Sequence, residues 1–144
     1  MPKSTATCNN IINLMYSATA WANVADDAAA APLTDTYVGL HTANLTAATN
    51  SQAENETAYT NYARQDVARS TGWDAASGGA TANAATISFP QCGVTGATLT
   101  HVSTGIAVSG ASAVWHYGAL NASLAVSSGI TPQFAAGALT VTEA

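Results

Sequence analysis

Charge is what this sequence has least of: three Lys and Arg and eight Asp and Glu in 144 residues, 8% charged where a soluble domain carries roughly 25%. With so few cations and a net charge of −5, nucleic acid is excluded as a partner, because phosphate binding needs clustered Lys and Arg that release counterions. A surface this neutral gains little colloidal repulsion, which suits a protein packed against others. Cysteine is nearly absent. Cys8 and Cys92 lie far apart in no metal or redox spacing and read as two buried free thiols. No apolar run approaches the ~20 residues of a membrane span. Asn9, Asn10 and Asn13 interrupt any apolar core of a secretory leader behind Lys3. The expectation is a protein made in the cytoplasm, with no membrane partner.

What is present is alanine. Of the 48% hydrophobic residues, 33 are Ala and two are Cys, which leaves 34 larger apolar or aromatic side chains, enough for one core. The scarce charges are not spread evenly. Glu54, Glu56, Arg64, Asp66, Arg69 and Asp74 fall in one window, with Tyr59, Tyr62 and Trp73 among them. Specific pairing has few other places to occur.

Ser4–Thr7 offers caps for a helix, and Cys8, Ile11, Ile12, Met15, Thr19 and Ala22 follow at helical spacing, which predicts a helix from about Thr7 to Ala22. Its stripe packs on its own domain or, alternatively, docks on a neighbouring subunit. Asn23 to Thr34 is an Ala-rich extended arm, closed as a helix by Pro32. After Asp35 the period changes to two. The pattern predicts strands at Thr36–Thr42, Tyr59–Ser70, a short one from Trp73, Ala85–Phe89, Ala97–Ser103, Gly105–Val108, Ala113–Leu120, Ser123–Val126, Pro132–Phe134 and Ala138–Thr142. Residues 44–55 read as a long exposed loop, and Ser77-Gly78-Gly79 as a turn. Short strands at this spacing predict an all-β fold: a jelly-roll-like antiparallel β-sandwich over 35–144, preceded by a helix and arm over 1–34.

Candidate chemistry is thin. His41, His101 and His116 each sit in a predicted strand, but their spacing does not select a three-His zinc site. Glu54, Glu56 and Asp66 are conceivable as paired carboxylates of a glycosidase, yet the two glutamates end a polar loop. Neither a Gly-x-Ser-x-Gly nucleophile, a Cys–His pattern nor a phosphate loop is present. The reading is therefore no enzyme, with no catalytic, cofactor or metal residues. Arg64 is read as structure: Tyr62, Arg64 and Asp66 share one face of the predicted strand. A buried guanidinium needs its carboxylate, so an internal pair with Asp66 or Glu56 is expected ahead of an intersubunit contact.

Several strings occur in a telling order: Thr36-Tyr-Val-Gly-Leu-His-Thr42, Tyr62-Ala-Arg64, Gly72-Trp73, Ile87-Ser-Phe-Pro90, Thr100-His101, Tyr117-Gly-Ala-Leu120 and Phe134-Ala-Ala-Gly-Ala-Leu-Thr-Val141. Together they resemble the small structural proteins of tailed bacteriophages described as head decoration, cement or tail-fibre proteins, such as the jelly-roll cement protein of a Bordetella phage. The resemblance covers nearly the full chain. It implies a cement protein that acts as a homodimer, binds the outer surface of the capsid and bridges subunits of the phage major capsid protein. A tail-fibre or receptor-binding module is the alternative, and a carbohydrate-binding or enzymatic domain a third.

Overall fold

Ser4 decides where the first helix starts. The computed structural model describes residues 3–21, 33–46 and 51–143. Helix α1 runs Thr5–Tyr16, with Ser4 in extended backbone (φ −72°, ψ 154°) and its Oγ accepting from the Thr7 amide at 3.2 Å. That bond satisfies one of the amides a helix start leaves open. The helix thus begins two residues before the sequence reading placed it, and it ends well short of Ala22. The Ser17 and Thr19 amides both return to the Asn13 carbonyl, and Ala18 takes a left-handed φ of 50°, which turns the chain out of the helix. Ala22 and the predicted arm up to residue 32 lie outside the described residues.

The chain forms two compact units. Unit 1 gathers Met1–Asp35, Val67–Ile87 and Phe134–Ala144. Here α1 buries Cys8, Ile12 and Tyr16, four residues apart, and Tyr16 meets Trp73 edge-on at 4.7 Å. The asparagines off that stripe are not idle: Asn9 Oδ1 accepts from the Gly79 amide at 2.6 Å and Asn13 Oδ1 from Ala76 at 2.9 Å. Both bonds hold the turn into strand β3 (Ala80–Ala82), which pairs antiparallel with the last strand, Thr140–Thr142. Gly78 and Gly79 supply the two positive φ values (63° and 79°) of that turn, as two-residue hairpins require. Arg69 closes the far end of α1: its guanidinium donates to the carbonyls of Met15 (2.6 Å) and Leu14. A cation there completes carbonyls left open by the helix and meets the negative end of its dipole.

Unit 2 comprises Thr36–Asp66 and Ser88–Gln133. It holds most of a four-stranded sheet in the order β2-β1-β5-β6, formed by β1 (Asp35–His41), β2 (Gln65–Ala68, of which Gln65 and Asp66 belong to this unit), β5 (Ala97–Gly105) and β6 (Val114–Val126). Strands β1 and β5 pair antiparallel from Tyr37↔Gly105 to His41↔His101. Strands β4 (Ile87–Ser88) and β7 (Gln133–Phe134) form a short pair, and the Thr140–Thr142 strand is β8. Val38, Leu40, Leu45, Tyr59, Phe89 and Leu99 are among the buried side chains of unit 2. The fold class is the expected one, an all-β sandwich class with antiparallel sheets and one short N-terminal helix.

Several boundaries moved for physical reasons. The predicted strand over Tyr59–Ser70 survives only as β2. Residues 59–62 form a turn, with the Tyr62 amide bonded to the Tyr59 carbonyl at 2.9 Å, so that both rings lie together at 5.4 Å rather than on opposite faces. Residues 44–55 are not simply an exposed loop, since Leu45 and Gln52 are buried. The two predicted strands across 113–126 are one: opposite Thr100, residues 120–123 bulge without ending β6. Trp73 makes only an isolated bridge, to Asn83. Residues 106–108 leave the ladder, because their loop is held elsewhere, by Arg64.

Candidate functional site

Arg64 lies just before β2, with 1% of its side chain exposed. Its Nε donates to Glu56 Oε1 at 2.6 Å and its Nη2 to Glu56 Oε2 at 2.8 Å, the two-pronged geometry that a guanidinium and a carboxylate form best. The remaining N–H groups reach the carbonyls of Ala107 (2.9 Å) and Gly110 (2.8 Å), Ser112 Oγ (3.1 Å) and Gln52 Oε1 (3.1 Å). Gln52 in turn donates to the Tyr37 carbonyl at 2.7 Å. One buried cation thereby fixes Glu56, Gln52 and the loop between β5 and β6. Tyr62 completes the shell: its hydroxyl donates to Glu56 Oε1 at 2.9 Å and accepts from the Leu40 amide at 3.0 Å. Burial, reinforced by the Glu56 charge, raises the Tyr62 hydroxyl far above its ordinary range, so it remains a donor. Its ring stacks with Phe89 at 6.3 Å. Burial also pushes the Tyr59 hydroxyl up to about 12, and that hydroxyl donates to the Pro90 carbonyl at 2.9 Å.

Above this network the loop carries Ile106 and Val108, 37% and 62% exposed. A second loop is clamped by one residue, Thr60. Thr60 N–H donates to the Thr95 carbonyl at 2.8 Å, its carbonyl accepts from Gly93 at 2.9 Å, and its Oγ1 accepts from the Thr95 amide at 2.9 Å. Between those anchors stands Val94, 91% exposed. Among the described residues, Tyr117 and Leu124 on β6 and Ile130 complete the exposed large hydrophobic residues. All six lie in unit 2, and all fall within residues 75–142, nearly half the chain, where no Asp, Glu, Lys or Arg occurs. Exposed apolar side chains on anchored loops are suited to protein contact, because little backbone entropy is left to lose on docking.

The candidate residues of the sequence reading disperse. Of the two carboxylates proposed for Arg64, Glu56 is the partner, while Asp66 is exposed on β2. Strand alternation had put Arg64 and Asp66 on one face, but the strand begins only at Gln65. Glu54 closes its own loop, accepting from the Thr46 amide at 2.9 Å and the Thr46 hydroxyl at 3.1 Å. His41 is fully buried, with Nδ1 2.9 Å from the Glu54 carbonyl and Nε2 2.8 Å from Ser103 Oγ. Burial lowers its pKa, against the Glu54 carbonyl bond that raises it. The neutral ring fits: Nδ1–H donates to Glu54 and Nε2 accepts from Ser103. His101 lies opposite His41 in the ladder, with Nδ1 2.9 Å from Thr100 Oγ1, and His116 lies opposite Thr104. Among the described residues no three His, Cys, Asp or Glu gather as a metal site. Cys8 and Cys92 are buried free thiols, one in each unit.

The sequence reading missed Gln52, Ser112 and the loop carbonyls around Arg64, since nothing local in the sequence marks them. The exposed apolar residues had a legible signal, the absence of Asp, Glu, Lys and Arg over residues 75–142. A sequence profile of the family described as Podophage GP4 fiber I protein gp80 matches residues 2–142. No curated protein matches the chain.

Proposed function

The chain belongs to the podophage GP4 fiber I protein gp80 family and is therefore a phage structural protein, and from that premise we propose that it is a non-enzymatic fibre component built into the exterior of the virion. The observation that carries the proposal is a set of exposed apolar side chains in unit 2, with Val94, Ile106 and Val108 on loops pinned by Thr60 and Arg64, all within a stretch of sequence without Asp, Glu, Lys or Arg. Burying such side chains against neighbouring subunits gains about 25 cal/mol per Å² of apolar area, and no charge has to be stripped of water. The net charge of −5 suits a position outside the shell, away from packaged DNA.

A second reading is a cement protein that bridges major capsid subunits on the outer head surface. It is favoured by the ordered strings from Thr36-Tyr-Val-Gly-Leu-His-Thr42 to Phe134-Ala-Ala-Gly-Ala-Leu-Thr-Val141. Immunogold imaging of particles, paired with a deletion phage, tests both. A fibre component gives sparse label at fixed projections, and its loss abolishes host adsorption. Dense label over the head, with deletion heads that burst on osmotic shock but still adsorb, establishes the cement reading. Unlabelled particles with neither defect overturn both.

A further inference from the structure

A strap of residues 52–57, outside any strand or helix, lies along β1. It is held at separate points. The Thr57 amide donates to the Leu40 carbonyl and the Thr42 amide to the Asn55 carbonyl, each at 2.9 Å. The Gln52 amide donates to the Ser112 carbonyl at 2.8 Å, which ties the strap to the loop between β5 and β6. His41 is fully buried against the strap, bonded through Nδ1 to the Glu54 carbonyl and through Nε2 to Ser103 Oγ on β5. Asn55 takes a left-handed φ of 51°, and Thr57 Oγ1 is buried with no hydrogen-bond partner among the described residues. Both features raise the energy of the closed strap.

We propose that this strap is an acid-operated latch: a proton on His41 lifts residues 52–57 from β1 and frees the loop of residues 106–112, which carries Ile106 and Val108. The ring's hydrogen bonds survive the proton, since the Ser103 hydroxyl can turn to accept. The added charge is what the closed form cannot hold. Around the ring stand Glu56 of the strap, which bridges to His41, the Arg64 guanidinium, and His101 opposite His41 on β5. Glu54 turns its carboxylate to Thr46, burial keeps the Tyr62 hydroxyl protonated, and the β6 residue opposite His101 is Ala119. One carboxylate, already bonded twice to Arg64, would thus face two buried cations. Burying the second without a counter-ion is costly, and lifting the strap lets water reach it. Burial lowers the His41 pKa in the closed form, so the open form binds more protons from the ordinary 6.5 down to that lowered value. Over that interval, opening rises by up to about tenfold for each pH unit lost. Opening takes Gln52 off Ser112 and leaves Arg64, the loop's other anchor, without its carboxylate. The latch lies within unit 2 and works alike in a fibre or a cement protein.

Hydrogen exchange of the purified full chain between about pH 8 and 5, with circular dichroism to show that it stays folded, reads the latch directly. The Gln52, Glu56 and Thr57 amides, all bonded in the closed form, should lose protection by up to about tenfold per pH unit below 6.5. Residues 106–112 should follow them, while amides of the β1–β5 ladder stay protected. His41→Asn, which takes no proton, should abolish the response, and His101→Asn should keep it. A wild-type measurement guards against a His41 variant that fails to fold: the His41 ring, titrated by nuclear magnetic resonance, should share its midpoint with strap opening. Strap protection that ignores pH, or that falls only together with the ladder, overturns the proposal. So does a response that persists in folded His41→Asn, or a ring midpoint that does not match. A strap that opens without loosening residues 106–112 overturns the release of the loop.

Discussion

Removing either partner of the Glu56–Arg64 pair should destabilise the fold by about 3–5 kcal/mol, because the other charge stays behind. The geometry orders the two losses. Arg64 has 1% of its side chain exposed and Glu56 has 18%, so a guanidinium orphaned by Glu56→Ala cannot rehydrate. It retains only the neutral acceptors Gln52, Ala107, Gly110 and Ser112. Arg64→Ala leaves a carboxylate that still accepts from Tyr62 and can draw in water, but it strands the Ala107 and Gly110 carbonyls, each costing about 1–3 kcal/mol if left unmet. The two losses are therefore similar in size and different in origin. In a chain of this length they correspond to a fall in melting temperature of about 6–20 °C. The double mutant should lose less than the sum, by at least about 1 kcal/mol, since the shared interaction is removed once. Urea unfolding followed by circular dichroism supplies the cycle, and hydrogen exchange should show residues 107–112 opening in both single mutants. Asp66→Ala should cost under about 0.5 kcal/mol, as exposed substitutions do. Additive losses, or an Asp66 variant as damaged as Glu56→Ala, would refute the assignment.

Other perturbations read separate parts of the structure. His41 has its pKa lowered by burial, so between that value and the unfolded 6.5 the unfolded chain binds more protons. Stability is then full above about pH 6.5 and falls as the pH drops towards the folded pKa; urea midpoints across pH 8 to 5 should decline for wild type and lose that component in His41→Asn. A Cβ at Gly105 would lie 2.4 Å from Gln52 Oε1 and 2.6 Å from the Ala113 carbonyl, so Gly105→Ala should cost about 1–3 kcal/mol. Gly118→Ala, where nothing lies within 4 Å, should unfold within about 0.5 kcal/mol of wild type. Arg69→Ala should lose about 1–2 kcal/mol and reduce the helical signal in far-ultraviolet circular dichroism, because the Leu14 and Met15 carbonyls lose their cap.

By itself the sequence determined the class of the fold, through its period of two after Asp35, its glycine turns and its strand lengths, which are local properties of the chain. It also determined the helix stripe of Cys8 and Ile12, the hairpin at Gly78-Gly79, the scarcity of charge and the need of Arg64 for a carboxylate. Tertiary structure decided which carboxylate. Glu56 and Asp66 are both close to Arg64 in sequence, and only the turn at residues 59–62, folded so that Tyr59 and Tyr62 pack together, brings Glu56 under the guanidinium. It likewise decided that Arg69 caps α1 and that Arg64 holds Ala107 and Gly110, contacts spanning more than 40 residues of chain. Such pairings follow from how the elements pack, because a backbone carbonyl carries no mark of its side chain. Exposure of Val94 and Tyr117 is decided there too, since a periodic pattern ranks apolar residues for burial but cannot say which of them the packed units leave outside.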